Sequence, residues 1–401
     1  MKTENATTRR NFIKLATGAA LASVAAPAAA ATLAAAISPS APAAGPTLAA
    51  APYIATRTAG SLKLSTVRGD VMAFCAALQD KEGAYGSFRK GLHQRPDLYS
   101  SLDMALARHI MGEDFQSSLT GSQREEWIAH INSFASNDFG KATDGSYFDS
   151  NGHSSLHANG MVIGALSVLG GKQKFPVKLY NDFNTEDKIV AWLESLNWRE
   201  QWQAAHKFWG GMICYSFSSR CTPAWLDKVF TWLDANLDEQ TGWWKKGVPH
   251  MDRHQPLGGS VHILPLYEHN NRKFPYPEKV IDSVLKLQLP NGRWLETKDD
   301  NIMHYLELDA LYALYLMKKM APGYRTKDIA ATVNTYSSAV LTYYAEKKKQ
   351  LYSLHPHLVL GAVGTFGLLQ RLNPEVFTDD RPWTDIFSDR TLHMTRNVEV
   401  F

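Results

Sequence analysis

The hydrophobic and polar residues of the chain follow two alternating helical patterns. In six segments the apolar residues recur at three- and four-residue spacing and the opposite face is charged, which is typical of a helix with one side in solvent. These segments are 69–80, 120–135, 185–197, 222–237, 277–289 and 326–351. Other segments, such as 157–171, 308–317 and 358–372, carry almost no charge. A helix that is apolar all round is buried on every side, so the alternation predicts polar outer helices around apolar inner ones.

Short turns at the ends of the outer helices repeat a common sequence. Residues 79–85 and 288–294 both have the pattern Gln-x-x-x-Gly-x-aromatic. Residues 238–244 are a variant with Asp in the first position, and residues 144–148 are a weaker echo. In such a turn we expect Gln to cap backbone groups at the helix end, Gly to take a positive φ, and the aromatic ring to cover the turn. The repetition predicts a fold that is built from recurring helix pairs.

These turns resemble the Gln-x-x-x-Gly-x-Trp repeats of the α/α-toroid superfamily of terpenoid cyclases and protein prenyltransferases. The resemblance covers most of residues 69–372 and implies an all-α, (α/α)6-type toroid around a central cavity. It does not extend to the chemistry, because the Asp-x-Asp-Asp acid motif is absent. Asp309 is followed by Ala310 and Leu311, whereas the prenyltransferases have a zinc-binding Cys two residues after their Asp. Similar toroids also serve polysaccharide lyases and glycosidases, so the fold alone does not identify the reaction.

The N-terminus has the features of an export signal. Arg9 and Arg10 precede Lys14, and an uncharged, Ala-rich run follows. This resembles a twin-arginine signal, although a membrane anchor is the alternative for a run of this kind. The run is only weakly apolar against the ~20 residues that a membrane span needs. We therefore expect a periplasmic or secreted protein that is exported folded. Its predicted parts are a signal peptide at 1–31, an Ala/Pro-rich linker at 32–60, the toroid at 61–373, and a C-terminal tail packed on it at 374–401.

Charge limits the partners that the mature protein can bind. Loss of the signal removes four basic residues and one acidic residue, so the net charge of +3 falls to zero. Nucleic acids and anionic membranes attract clustered Lys and Arg, which a neutral domain does not supply. We expect no nucleic-acid partner and no stable membrane insertion after signal removal.

The cysteine content leaves two possibilities open. The chain has three cysteines, Cys75, Cys214 and Cys221, so at least one thiol is free. Cys214 and Cys221 either form a disulfide across a short loop or remain two buried thiols. There is no Cys-x-x-Cys pair, which excludes a structural zinc site of that type.

Histidines recur near the predicted starts of the inner helices. His153 and His157 are four residues apart and can face the same way. A single His at a helix start is more often structural, but recurrence at five of the six inner helices indicates that at least two share one site. The nearest carboxylates, Asp103, Glu307 and Asp309, either orient an imidazole or are buried structural acids. A His-bound divalent metal stays open, since His is a common ligand. However, no compact motif such as His-Glu-x-x-His occurs, so no metal ligand is assigned and the cofactor is unknown.

The sequence predicts a carbohydrate-active enzyme, with a polysaccharide lyase ahead of a glycoside hydrolase. β-Elimination on an oligo- or polysaccharide that contains uronic acid needs a base, an acid and a cation for the carboxylate. The candidate bases are His157 and His262, the acids are Tyr99 and Tyr305, and the cations are Lys207 and Arg253. Further substrate-binding candidates are His153, His206, Trp209, Trp244, His304 and His357. The alternatives are a terpenoid-cyclase-like enzyme with Asp309 as its acid, or a non-catalytic toroid that binds glycans or a partner.

Overall fold

The structure is a computed structural model that describes residues 60–135, 147 and 152–394. The chain divides into two units, Met1–Tyr53 and Ile54–Phe401, and the described residues all belong to the second. The predicted signal, all of the linker except Gly60, most of the weak turn at 144–148 and the last seven residues of the tail lie outside the described residues. Those predictions therefore stay predictions.

The described residues are predominantly helical, which confirms the predicted all-α class. The α-helices are α1 Leu64–Leu78, α2 Leu98–Ile110, α3 Phe115–Ser118, α4 Gly121–Asn132, α5 Ser155–Leu169, α6 Glu186–Ser195, α7 Gln201–Lys207, α8 Cys214–Ser216, α9 Pro223–Ala235, α10 Gln255–Ser260, α11 Leu264–His269, α12 Pro277–Leu287, α13 Tyr305–Met320, α14 Thr326–Leu351 and α15 Pro356–Leu372. Turns of 3-10 helix lie at Lys178–Asp182, Trp198–Glu200 and Arg390–His393, and a π-helix lies at Phe208–Ile213. Two short strands, β1 Leu62–Lys63 and β2 Phe377–Thr378, pair in parallel.

The two predicted kinds of helix are both present. The six amphipathic segments correspond to α1, α4, α6, α9, α12 and α14. Helix α1 begins at Leu64 rather than at residue 69, because Leu64 and Val67 continue the buried face that Val71 belongs to. The apolar segments correspond to α5, α13 and α15, and in α13 every residue from Leu306 to Leu314 is buried. None of the described helices is both long and apolar enough to cross a membrane.

The buried helices contact one another in a cycle. Helix α2 packs on α5, and α5 packs on the π-helix that continues α7. Helix α7 packs on α10, α10 on α13, and α13 on α15. Helix α15 then packs on α2, so the contacts return to their starting point. Amphipathic helices lie against this cycle at α4 on α5, α12 on α13 and α14 on α15, while α6 and α9 pack on each other.

Side-chain caps set where several helices begin. Thr222 accepts a hydrogen bond from the backbone N–H of Trp225, and Pro223 occupies the first turn of α9. Ser154 caps α5 in the same way, through the backbone N–H of His157. This cap places His157 in the first turn of a buried helix.

The repeated turns have most of their predicted geometry. Gln288 donates to the carbonyls of Gly292 and Thr332, and the Trp294 indole is fully buried and donates to a carbonyl of α12. The φ of Gly292 is +86°, as predicted. The prediction is wrong for the turn at 79–85, because its Gly83 does not have a positive φ and Gly86, three residues later, does.

The C-terminal tail joins several helices through its backbone and its charges. Strand β2 pairs with β1 next to α1, and Asp379 forms an ion pair with Arg68 of α1 at 3.0 Å. The N–H of Thr384 donates to the carbonyl of Ile110 at the end of α2. The carbonyl of Phe387 lies 2.8 Å from a ring nitrogen of His269. The described part of the tail thus packs on the helices at both its beginning and its end.

Close approach between two buried helices requires glycine at one position. A Cβ atom on Gly210 would lie 1.7 Å from the carbonyl oxygen of Leu156, and one on Gly160 would lie 2.4 Å from the Cα of Gly210. We expect Gly210→Ala to lower the free energy of unfolding by at least about 2 kcal/mol, because the clash is with backbone atoms that cannot rotate away. Equilibrium unfolding in urea measures this change.

Gly69→Ala is the matched control. Gly69 lies within α1, and an added Cβ would meet nothing within 4 Å. This substitution should stabilise the protein by roughly 0.5–1 kcal/mol, since Ala has the better helix propensity. Equal effects of the two substitutions would contradict the close approach at Gly210.

Candidate functional site

A cavity of about 240 Å³ opens where several buried helices begin. Its wall comes from the starts of α5, α13 and α15, from α7 and the π-helix, from His262 between α10 and α11, and from the tail. The lining residues are His153, His157, Met161, Trp202, Gln203, His206, Trp209, His262, Tyr305, His357, Ile386 and Phe387. The structure thus brings together seven of the residues that the sequence singles out, from five separate segments of the chain.

His206 lies at the centre of an imidazole cluster. Its ring centroid is 5.0 Å from those of His153, His157 and His262. The rings of His153 and His157 are 4.3 Å apart, and His357 lies 5.2 Å from His153. We refer to these five residues as the imidazole cluster.

Burial keeps much of this cluster uncharged. It lowers the pKa of His206 to about 2, and repulsion from the protonated forms of its neighbours contributes to the shift. Burial likewise lowers the pKa of His153 and of His262 to about 4, and the pKa of His157 lies well below its ordinary value. At neutral pH these four imidazoles are therefore neutral, each with one nitrogen that donates and one that accepts.

Two imidazoles have their tautomer set by a neighbour. Nδ1 of His262 lies 2.6 Å from the carbonyl oxygen of Gly258, which can only accept. Nδ1 of His357 lies 2.9 Å from Oδ1 of Asp103, which is 1% exposed. An acceptor at Nδ1 leaves the lone pair on Nε2, the nitrogen that a general base uses. Of the three carboxylates considered from the sequence, Asp103 is the one that orients an imidazole of the cavity.

The two predicted acids have different surroundings. The Tyr99 hydroxyl lies 2.9 Å from Nδ1 of His157, and its ring stacks against that imidazole from just behind the wall. Tyr305 lines the cavity with its ring, but its hydroxyl donates to the backbone carbonyl of His357 at 2.7 Å. Tyr99 is thus the phenol that hydrogen-bonds to an imidazole of the cluster.

Trp202, Gln203 and part of the tail are site residues that the sequence patterns did not reveal. Trp202 and Gln203 precede His206 by about one helical turn in α7, so their spacing was a usable signal. Ile386 and Phe387 close part of the wall from the tail. No local pattern marks them, because their position depends on how the tail packs.

Besides Tyr99, five predicted site residues lie outside the cavity lining. Trp244 is fully buried in the core and donates to the carbonyl of Leu233, so it does not reach the cavity. The remaining four are Lys207, Arg253, His304 and Asp309.

Two of these residues have partners elsewhere. Arg253 is exposed and donates to the carbonyl of Leu287. His304 pairs with Asp299 at 2.9 Å. With the predicted cations and carboxylates placed outside, the lining within the described residues contains no Lys, Arg, Asp or Glu.

The described residues contain neither a disulfide nor a cluster of side chains that could bind a metal ion. Within them, no group of three or more His, Cys, Asp or Glu side chains is arranged to hold a metal ion. Cys75, Cys214 and Cys221 are all free thiols, so Cys214 and Cys221 form no disulfide, and Cys214 is buried whereas Cys221 is only half-buried.

A second cavity of about 550 Å³ lies between the turn at 288–294 and α14. Its charged groups include Asp300 and Lys347, which pair with each other at 3.2 Å. None of the predicted catalytic residues lines it, so the imidazole cavity is the better candidate site.

Asp309 is fully buried about one helical turn after Tyr305, and neither carboxyl oxygen has a hydrogen-bond partner among the described residues. Burial raises the pKa of Asp309 well above its ordinary value, and the nearby Glu307 adds to the shift. The folded protein therefore holds a proton that the unfolded chain releases above about pH 4, and stability falls as pH rises.

We expect Asp309→Asn to remove this pH dependence. Relative to the wild type, the variant should gain up to about 1.4 kcal/mol per pH unit as the pH rises from about 5 to about 8. Urea unfolding across this range measures the gain, and the exposed Asp227→Asn is the control. A constant difference between variant and wild type would show that Asp309 is ionised in the folded protein.

Comparison with known proteins finds no family model that matches the chain and no curated protein that matches its sequence. The likeness to α/α toroids therefore rests on the glycine-aromatic turns at 238–244 and 288–294 and on the cycle of buried helices. The chemistry of the imidazole cavity is the remaining guide to function.

Proposed function

We propose that the closed cycle of buried helices is an (α/α)6-type toroid of the terpenoid-cyclase-like superfamily. Three observations support this. The amphipathic helices alternate with buried ones, the buried helices contact one another in a closed order, and two of the repeated turns share a positive-φ Gly followed by a buried Trp. The central cavity of such a toroid corresponds to the imidazole cavity.

We further propose that the protein is an exported polysaccharide lyase that acts on uronate-containing glycans in this cavity. The observation that carries the proposal is the pairing of His357 with Asp103 on the same cavity as the pairing of His157 with Tyr99. One pair supplies an oriented base, and the other supplies a phenol proton. The twin-arginine motif supports a periplasmic or secreted location, where such glycans occur.

The reaction would use the two pairs in sequence. Nε2 of His357 takes the C5 proton of a uronate, while Asp103 stabilises the imidazolium that forms. The electron pair of the broken C–H bond forms a C4=C5 double bond, and the C4–O bond breaks. The leaving oxygen takes a proton from Nε2 of His157. Nδ1 of His157 in turn takes the proton of the Tyr99 hydroxyl, which leaves Tyr99 as a phenolate. His357 replaces His157 and His262 as the favoured base because it has a carboxylate partner.

A glycoside hydrolase is less well supported, because its mechanism uses a pair of carboxyl groups on either side of the scissile bond. The described lining of the cavity contains no carboxylate. A cyclase with Asp309 as its acid has the same weakness, since Asp309 is not in the lining. The aromatic rings of Trp202 and Trp209 suit stacking on a sugar, and they would also suit a toroid that binds glycans without cleaving them.

We expect incubation with uronate polymers to produce the ultraviolet absorbance of an unsaturated sugar. His357→Ala and Tyr99→Phe should lower kcat on the order of 10²–10⁴-fold, because each removes a proton-transfer group. Asp103→Asn should lower kcat with little change in KM, since it leaves the imidazole present but in the wrong tautomer. The assay is continuous absorbance during digestion of a panel of polyuronates.

His93→Ala is the control, because His93 is exposed in the loop between α1 and α2 and does not line the cavity. It should leave the rate unchanged. Absence of an unsaturated product from every polyuronate in the panel would sink the lyase proposal. Binding of glycans that persists without cleavage would point instead to a non-catalytic toroid.

A further inference from the structure

The wall of the imidazole cavity carries no side chain with a permanent charge among the described residues. Its lining is imidazole, aromatic or apolar, with Gln203 as the one amide. A uronate carboxylate that enters this site would lose water and find no counter-ion, and burial of an unpaired charge is strongly unfavourable. The predicted cations Lys207 and Arg253 are not in the lining, so the positive charge that would neutralise a bound carboxylate must have another source.

The cluster is arranged to accept one proton more readily than two. His206 has three imidazoles at 5.0 Å, so a second imidazolium would be repelled by the first. In the empty cavity, burial and this repulsion favour the neutral forms. A carboxylate within about 4–6 Å reverses the balance, because an opposite charge stabilises the protonated imidazole.

We propose that the cavity binds a carboxylate together with one proton, which His153 or His262 takes up from solvent. The rings of these two residues both lie 5.0 Å from that of His206. Nδ1 of His262 already donates to the Gly258 carbonyl, which leaves Nε2 as the atom that accepts the proton. The inference rests on the proposed function in taking a uronate as the ligand.

In the proposed reaction His357 has to stay neutral so that its Nε2 can take the C5 proton, which leaves His153 and His262 as the acceptors of the proton from solvent. Tyr305 stays neutral, since burial raises its pKa well above the ordinary value. His206 resists protonation more than the pair does, because its pKa is the lower. The titratable groups around the pair are Tyr99 of α2, His157 of α5, His206 of α7, Tyr305 of α13, and His355 and His357 at α15, and Asp103 of α2 lies behind His357.

His157 and Asp103 are already engaged in other interactions. The pKa of His157 is lowered by burial and by repulsion from the other four members of the cluster. Asp103 is hydrogen-bonded to His357 on the α2 side. Burial raises the pKa of Asp103 and its contact with His357 opposes that shift, but Asp103 does not line the cavity, so a proton on it would not face the bound carboxylate.

The sign of the pH dependence follows from the direction of proton transfer. Because the pKa of His153 and of His262 is about 4 in the empty cavity, the ligand has to raise it for the proton to be taken up. Affinity for the carboxylate should be greatest near about pH 4–5. It should then fall about tenfold per pH unit as the pH rises toward the pKa of the complex.

Titration calorimetry of the full-length protein with free hexuronates tests this proposal. At about pH 6, runs in buffers of different ionisation enthalpy should give uptake of close to one proton per bound uronate. The methyl ester of the same sugar should bind with no proton uptake and no pH dependence. The double variant His153→Gln/His262→Gln should lose the uptake and should weaken binding of the uronate at least about tenfold more than binding of the ester. His93→Gln is the matched control.

Free hexuronates have no glycosidic bond, so the outcome is independent of cleavage. Proton-coupled binding without any lyase activity would support this inference and count against the proposed reaction. Lyase activity together with uronate binding that takes up no proton would overturn the inference alone. The inference would also be overturned if no hexuronate bound more tightly than its ester at about pH 5. Both of these contradicting results are measured on the wild-type protein, so they do not depend on whether a variant folds.

Discussion

Asp103 and His357 share a hydrogen bond of 2.9 Å where the cycle of buried helices closes, although 254 residues separate them in the chain. Both side chains are buried, so water does not compensate if either partner is lost, and an unsatisfied polar group in such a place is costly. The bond forms only when α2 and α15 have packed together. The same bond orients an imidazole of the cavity. Closure of the cycle and preparation of the candidate base are thus one event.

The cavity combines aromatic burial with titratable groups that burial holds neutral. Packing removes water from His206, His157 and His262, which are each less than a tenth exposed. In water each would titrate near about pH 6.5, but in the cavity they remain uncharged at neutral pH. A site of this kind is poised to respond to charge that a ligand brings with it. That distinguishes it from a site with a fixed Arg or Lys, which would attract any anion.

Local patterns in the sequence predicted much of the architecture. The outer helices and the turn at 288–294 depend on residues within a few positions of one another, as do the caps that the structure shows at Thr222 and Ser154. Such features follow from backbone geometry and helix periodicity, which local sequence determines. The turn at 79–85 shows the limit even here, since its positive φ lies at Gly86 rather than Gly83. There the chain continues into a bridge between Gln79 and Phe88, so the glycine that reverses its direction lies further along.

The recurrence of histidine at the starts of buried helices was also visible in the sequence, because repeats place equivalent positions at the same end of a fold. The sequence did not show which of these histidines face the same cavity. The five members of the imidazole cluster meet there, whereas His304 pairs with Asp299 outside it. The partner of His357, the burial of Trp244 and the entry of Phe387 into the wall depend on contacts between segments far apart in the chain. Periodicity identifies the face that a helix buries, but only the packing of all the helices decides what that face meets.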